Sequence, residues 1–77
     1  MSRMKTIKAS IIIDFLRSHG FEQLRQKGSH KFFRHSDGRT ATVPDHKGED
    51  LGCGITIKIL NDAEISRETF IIWCKKG

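Results

Sequence analysis

The stretch Gln23-Leu24-Arg25-Gln26-Lys27-Gly28-Ser29-His30-Lys31-Phe32-Phe33-Arg34-His35-Ser36-Asp37-Gly38-Arg39-Thr40-Ala41-Thr42-Val43 decides the fold. Gly28-Ser29 is a two-residue turn with Gly first, the signature of a type II′ hairpin. Ser36-Asp37-Gly38 is a three-residue turn with Gly last. The two turns predict a three-stranded antiparallel meander from Gln23 to Val43, and they also set its register. Lys27 faces His30, Arg25 faces Phe32 and Gln23 faces Arg34. Across the second turn His35 faces Arg39, Phe33 faces Ala41 and Lys31 faces Val43. Side chains alternate along a strand, so each residue's face follows from its register position. One face collects Leu24, Phe33, Ala41 and Val43 and is expected to pack against helices. The other collects Arg25, Lys27, His30 and Arg34 around Phe32. A one-residue slip would exchange the two faces.

Upstream, Ile7 to His19 has helical spacing, with Ile12, Phe15, Leu16 and His19 on one face. Gly20 suits the left-handed position that ends a helix. Ile13 and Arg17 fall off this face, and Ile13 is either a partner contact or a harmless exposed residue. Residues 1–6 are polar and basic and are expected to fray. Downstream, Pro44 ends the third strand because it cannot donate to a ladder. Asp45 to Gly54 is a polar loop carrying His46 and Lys47. Ile55 to Ala63 reads as a second helix with Thr56, Ile59, Leu60 and Ala63 on one face. Ser66 is an N-cap for a short third helix, Arg67 to Lys75, bearing Phe70, Ile71 and Trp73. The order is α-β-β-β-α with a terminal α, an α+β layer with helices on one face of the sheet.

The chain's 77 residues make one small domain. A domain of this size buries only about 60% of its unfolded surface, so its core rests on few residues. These are the five Phe, Ile11 to Ile13, Ile55, Ile57, Ile59 and Leu60. No room remains for an internal substrate cavity, and any chemistry is expected on the surface. The net charge is +5, from 14 basic and 9 acidic residues, and the isoelectric point is about 9.6. That excess favours a polyanionic partner through counterion release, although a basic protein without a nucleic-acid role has the same balance. Cys53 and Cys74 form no CxxC pair, which argues against zinc. Isolated thiols without a leader-like stretch fit a reducing cytoplasm. The longest apolar run is far too short to span a membrane.

Metal and phosphate-loop chemistry find little support. Glu49-Asp50 is a loop pair without converging carboxylates. Gly48, Gly52 and Gly54 lack P-loop spacing. Asp62 and Glu64, two apart, point to different sides of a helix. The histidines His19, His30, His35 and His46 remain. RNA supplies its own nucleophile, the 2′-hydroxyl, so a metal-free nuclease needs a base, a cation and an acid, and His exchanges protons near neutrality. His30 leaves a tight turn with Lys27 opposite and Arg25 and Arg34 on its face, and Phe32 could stack an unpaired base. The plain alternative is an ordinary exposed histidine at a strand start. His19 is expected to pack at its helix end near the carbonyls, and His35 to cap the sheet edge. His46 is either a solvated loop residue or a second proton carrier.

Leu24 to His30, followed by Phe33-Arg34-His35-Ser36-Asp37-Gly38-Arg39 and Thr42-Val43-Pro44, resembles the HicA toxin family. Leu51-Gly52, Gly54, Ile59-Leu60, Ala63 and Ile65-Ser66-Arg67 continue the likeness, which runs from Ile11 to Phe70. The resemblance implies a fold like a double-stranded RNA-binding domain. It implies the toxin of a type II toxin–antitoxin system, a ribosome-independent mRNA endonuclease that needs no metal or other cofactor. His30 matches the family's essential histidine and would be the single general acid/base. Gly28 and Ser29 match the turn that presents it. Arg25, Lys27, Gly28, Ser29, Phe32 and Arg34 would then contact RNA, with His46 as a possible second proton carrier. The resemblance also implies a cognate HicB antitoxin over this face, anchored by Phe32, Ile13 or Trp73, although the Trp73 ring could instead cover the core. A non-catalytic double-stranded RNA-binding module shares the same basic face and stays open.

Three positions depart from the family pattern. Lys31 stands where a second His is common, which removes a paired-histidine mechanism through that position. Cys53 stands where a basic residue is usual, which weakens phosphate contact at the second helix. Glu64 stands where Gly is usual, so the helix end is expected to close without its usual left-handed residue.

Overall fold

A computed structural model describes residues 6–46 and 50–76. The basic tail expected at 1–6 lies outside the described residues except for Thr6, as do Lys47, Gly48 and Glu49 of the loop. The elements in order are β1 (Ile7–Lys8), α1 (Ala9–Ser18), β2 (Phe21–Lys27), β3 (His30–His35), β4 (Thr40–Pro44), β5 (Asp50–Leu51), α2 (Cys53–Asp62) and α3 (Arg67–Lys76). Strands β2, β3 and β4 form the antiparallel meander that the two turns require. The fold is α+β, with its helices on one face of that sheet.

The unforeseen element is a ribbon of β1 and β5, pairing Ile7 with Leu51 and Lys8 with Asp50. It takes the first two residues of the expected helix, so α1 starts at Ala9. The buried residues of α1 are Ala9, Ile12, Ile13, Phe15 and Leu16, so the expected face of Ile12, Phe15 and Leu16 is kept and Ala9 and Ile13 widen it. Ile13 therefore belongs to the core at 8% exposure, and it is neither a surface residue nor an antitoxin anchor.

Gly28 has a φ of +59°. Ser29 does not share a positive φ, as a type II′ turn requires. From this turn the register runs as expected through Lys27 opposite His30 and Arg25 opposite Phe32. It then shifts between Gln23 and Arg25, so that Gln23 faces Phe33, Glu22 faces Arg34 and Phe21 faces His35. One extra residue in β2, a β-bulge, corrects the expected pairing of Gln23 with Arg34. The bulge turns Leu24 outward, leaving it 60% exposed, and brings Phe21 to the core at 2%. Burial drives the exchange, since an aromatic ring removes more apolar area from water than a Leu does. The β3–β4 register matches expectation, with Lys31 opposite Val43 and Phe33 opposite Ala41.

The core gathers Ile12, Phe15 and Leu16 of α1, Phe21 of β2, Phe33 of β3, Val43 of β4, and Ile59 and Leu60 of α2. Phe70 of α3 joins them edge-on to Phe15, at 4.9 Å between ring centroids. Trp73 lies against the same ring at 5.4 Å. Ile11 and Ile55, expected inside, are exposed at 37% and 45%.

Two helix ends close by chemistry visible in the sequence, the start of α3 and the end of α1. Ser66 caps α3 by accepting from the Thr69 N–H at 3.2 Å. Gly20 ends α1 with a φ of +89°, and a Cβ there would lie 2.8 Å from Nε2 of His35. The end of α2 corrects the expectation for Glu64, which itself adopts the left-handed conformation, with a φ of 57°. The Glu64 N–H donates to Asn61 O and the Ile65 N–H to Leu60 O, the paired bonds of a Schellman motif. A non-glycine residue in that region costs about 1 kcal/mol. Glu64→Gly should therefore stabilise the protein by about 1 kcal/mol, read as a higher urea midpoint at unchanged slope. An equal or lower midpoint would show that Glu64 is unstrained.

Candidate active site

His30 stands at the start of β3, exposed, directly after the Gly28-Ser29 turn. With Phe33 buried at 1%, alternation sends His30, Phe32 and Arg34 to the opposite face of the sheet. Lys27 and Arg25 share that face because they pair with His30 and Phe32. The bulge adds Leu24, which lines a shallow depression with Glu22 and Arg34 at the far end of the sheet. Arg34 lies four residues along β3 from His30, roughly 13 Å away, so it extends the basic face without reaching the histidine. Arg25 covers Phe32, its Cζ 5.0 Å from the ring centroid. A base approaching this spot meets the guanidinium plane before it meets the ring.

The structure brings His46 to His30. Their rings lie 6.2 Å apart, nearly perpendicular at 79°. The loop after β4 is held in this position at three points. The Asp45 N–H donates to Ser29 O at 2.6 Å, Ser29 Oγ lies 3.4 Å from Nε2 of His46, and Lys31 Nζ pairs with Asp45 Oδ2 at 2.7 Å. Lys31 thus fastens the residue next to His46.

A groove of about 220 Å³ opens beside the pair, between β4 and α2. His30, Thr42 and Pro44 line one side, and Ile55, Lys58 and Asp62 line the other. Sequence spacing did not flag this α2 contribution. The available signal was that Ile55, Lys58 and Asp62 recur at i, i+3 and i+7 and so share one flank of the helix, beside the buried stripe at Ile59.

The remaining histidines serve packing. His19 Nδ1 lies 3.1 Å from Phe15 O at the end of α1. The His35 ring lies edge-on to Phe21 at 5.2 Å. Asp37-Gly38-Arg39 is likewise structural. Asp37 accepts from the Arg39 backbone N–H at 3.0 Å and from Arg39 Nε at 2.8 Å. Arg39 also donates to Ala63 O at 2.8 Å, tying the β3–β4 turn to the end of α2. The backbone N–H and the guanidinium hold the Asp37 carboxyl below its ordinary 3.8. Both cysteines are free, and burial pushes the Cys74 thiol up, away from the reactive thiolate. Among the described residues, no three His, Cys, Asp or Glu side chains converge where a metal ion could sit. No helix among them is long and apolar enough to cross a membrane.

The profile described as "HicA toxin of bacterial toxin-antitoxin" matches residues 9–65. The chain belongs to the HicA toxin family. It is thus a toxin of a toxin–antitoxin system, and the match spans α1 through the end of α2. A search of curated proteins returned no match. In this HicA toxin the Asp-Gly-Arg segment closes the fold, whereas the Gly-Ser-His segment opens onto solvent.

Asp37 has a depressed folded-state value, so its contribution to stability is present above the unfolded 3.8 and is lost as pH falls below that. Denaturant midpoints of Asp37→Asn should fall short of wild type at pH 6 and converge with it in strong acid. A gap that persists unchanged in strong acid would remove the carboxylate from this account.

Proposed function

We propose that this HicA toxin is a metal-independent endoribonuclease that cleaves single-stranded mRNA at the His30 end of its basic face. The single observation that carries this reading is the His30–His46 pair, at 6.2 Å between ring centroids. A phosphodiester fits between two groups so placed, one to take a proton and one to give it.

In the reaction, neutral His30 takes the proton of the 2′-hydroxyl. The 2′-oxygen attacks phosphorus, and the bond from phosphorus to the 5′-oxygen breaks. Protonated His46 gives its proton to that departing oxygen. The products are a 2′,3′-cyclic phosphate and a new 5′-hydroxyl. Lys27, opposite His30 on the hairpin, offsets charge on the phosphoryl oxygens. Arg25, Phe32 and Arg34 hold the flanking strand, and Gly28 and Ser29 present the histidine. His46, the possible second proton carrier of the sequence reading, takes the part of the acid beside His30 in this proposal. Lys31 occupies the position of the usual second His and instead holds, through Asp45, the loop that brings His46 in.

The toxin is expected to be held silent in the cytoplasm by a HicB-type antitoxin that sets acidic or hydrogen-bonding groups against Arg25, Lys27, His30 and Arg34. Charge would set its rate and orientation, and apolar anchors its affinity. Ile13 is buried, Trp73 is half-buried on the core, and Arg25 lies over the Phe32 ring, so exposed Leu24 beside Arg34 is the better anchor. Association rates should fall steeply with added salt, and the complex should shield His30 from chemical modification. A complex in which His30 stays fully reactive would place inhibition elsewhere.

Labelled single-stranded RNA incubated with the purified chain in EDTA should gain ends bearing a 2′,3′-cyclic phosphate. His30→Ala should abolish both this cleavage and growth arrest while remaining folded. His46→Ala should lose roughly 10²–10⁴-fold and, with the acid gone, the alkaline limb of the pH–rate profile. A gel shift without new ends favours the double-stranded RNA-binding module instead, and full toxicity in folded His30→Ala would falsify the catalytic assignment.

A further inference from the structure

The groove between β4 and α2 contains groups that the proton-transfer chemistry does not use. His30 stands at its edge, so a nucleotide seated there lies beside the imidazole. Pro44 and Ile55 give it apolar surface, and Ile55 is a large side chain left 45% exposed in a protein with little apolar surface to spare. Lys58 brings a cation to the same groove. Its Nζ contacts Asp62 Oδ2 at 3.3 Å, and the Lys58 side chain is 77% exposed. An exposed ion pair one helical turn apart is weak, and a phosphate can compete for the ammonium on favourable terms.

We propose that this groove seats one nucleotide of the RNA next to the scissile bond, its base against Pro44 and Ile55 and its phosphate on Lys58, with Asp62 holding Lys58 until the phosphate arrives. The proposal rests on the reading of the outer face as the cleavage site and adds a specificity-determining subsite from a different element. In the free toxin the Asp62 carboxylate neutralises Lys58 and disfavours an anion. A bound phosphate takes the ammonium over, so the two side chains act on affinity with opposite signs. A pair that merely stabilised the helix would give both variants the same sign.

The test uses the full chain and a short single-stranded RNA carrying a 2′-deoxy sugar at the cleaved position, which binds but cannot react. Lys58→Met keeps the aliphatic stem. It should weaken binding about tenfold and reduce the slope of log affinity against log salt by about 0.7, the share of one phosphate on a single strand. Asp62→Asn should tighten binding, and Ile55→Ala should weaken it without changing the salt slope. All three positions are exposed, and thermal melts confirm that the variants fold. Unchanged affinity and slope in Lys58→Met would overturn the proposal, as would weakening by both Lys58→Met and Asp62→Asn. A wild-type chain that binds this RNA but never cleaves its all-ribose counterpart would end the nuclease reading while leaving the Lys58 comparison able to answer. A wild-type chain that does not bind would end both.

Discussion

A single three-stranded sheet in so small a chain can bury only one of its faces, and the rest of the molecule follows from which face that is. Phe33 is the deciding residue. Its ring is almost wholly buried with Phe15, Phe21 and Phe70 in one cluster. Strand geometry then leaves His30, Phe32 and Arg34 no alternative to the open side. The stability of the core and the display of the basic face are two consequences of one register. A slip that exposed Phe33 would bury His30 and Arg34 together, at a cost no domain of this size could absorb.

The register is not uniform along the hairpin, and the irregularity has a purpose in packing. Near the Gly28-Ser29 turn, backbone geometry dominates and the pairing is regular. Farther from it, the competition between Phe21 and Leu24 for the core decides, and the bulge resolves it in favour of the larger ring. The cost is an exposed Leu24, which becomes an apolar spot on an otherwise basic surface. Elsewhere the same economy places polar residues in bracing roles. Arg39 reaches Ala63 O at the end of α2, and Lys31 holds Asp45, so neither cation is spent on the outer face.

Much of this was legible in the residues themselves. Gly-Ser and Ser-Asp-Gly specified their turns because positive-φ and side-chain-bonded positions admit few residue types. Ser66 specified the start of α3, and the spacing of Thr56, Ile59, Leu60 and Ala63 specified the inner face of α2. The readings that failed were those in which two acceptable local choices competed. Ile7 and Lys8 could extend a helix or pair with a strand, and only the arrival of Asp50–Leu51 settled the choice. The buried stripe of α1 keeps the expected Ile12, Phe15 and Leu16 and is widened by Ala9 and Ile13. At Glu64 the chain's need to reverse direction outweighed the residue's own backbone preference.

The sequence by itself determined the meander, the two faces near the first turn, and the exposure of His30 among cations, because turn chemistry and alternation act over a few neighbouring residues. Tertiary structure alone decided what stands beside His30. His46 arrives from beyond β4, held by Ser29 and by the Lys31–Asp45 pair, and Lys58 arrives from α2 across the groove. These neighbours are separated from His30 by 16 and 28 positions along the chain. Their approach depends on how the helix layer settles on the sheet, and that is set by the summed burial of the core and not by any local pattern.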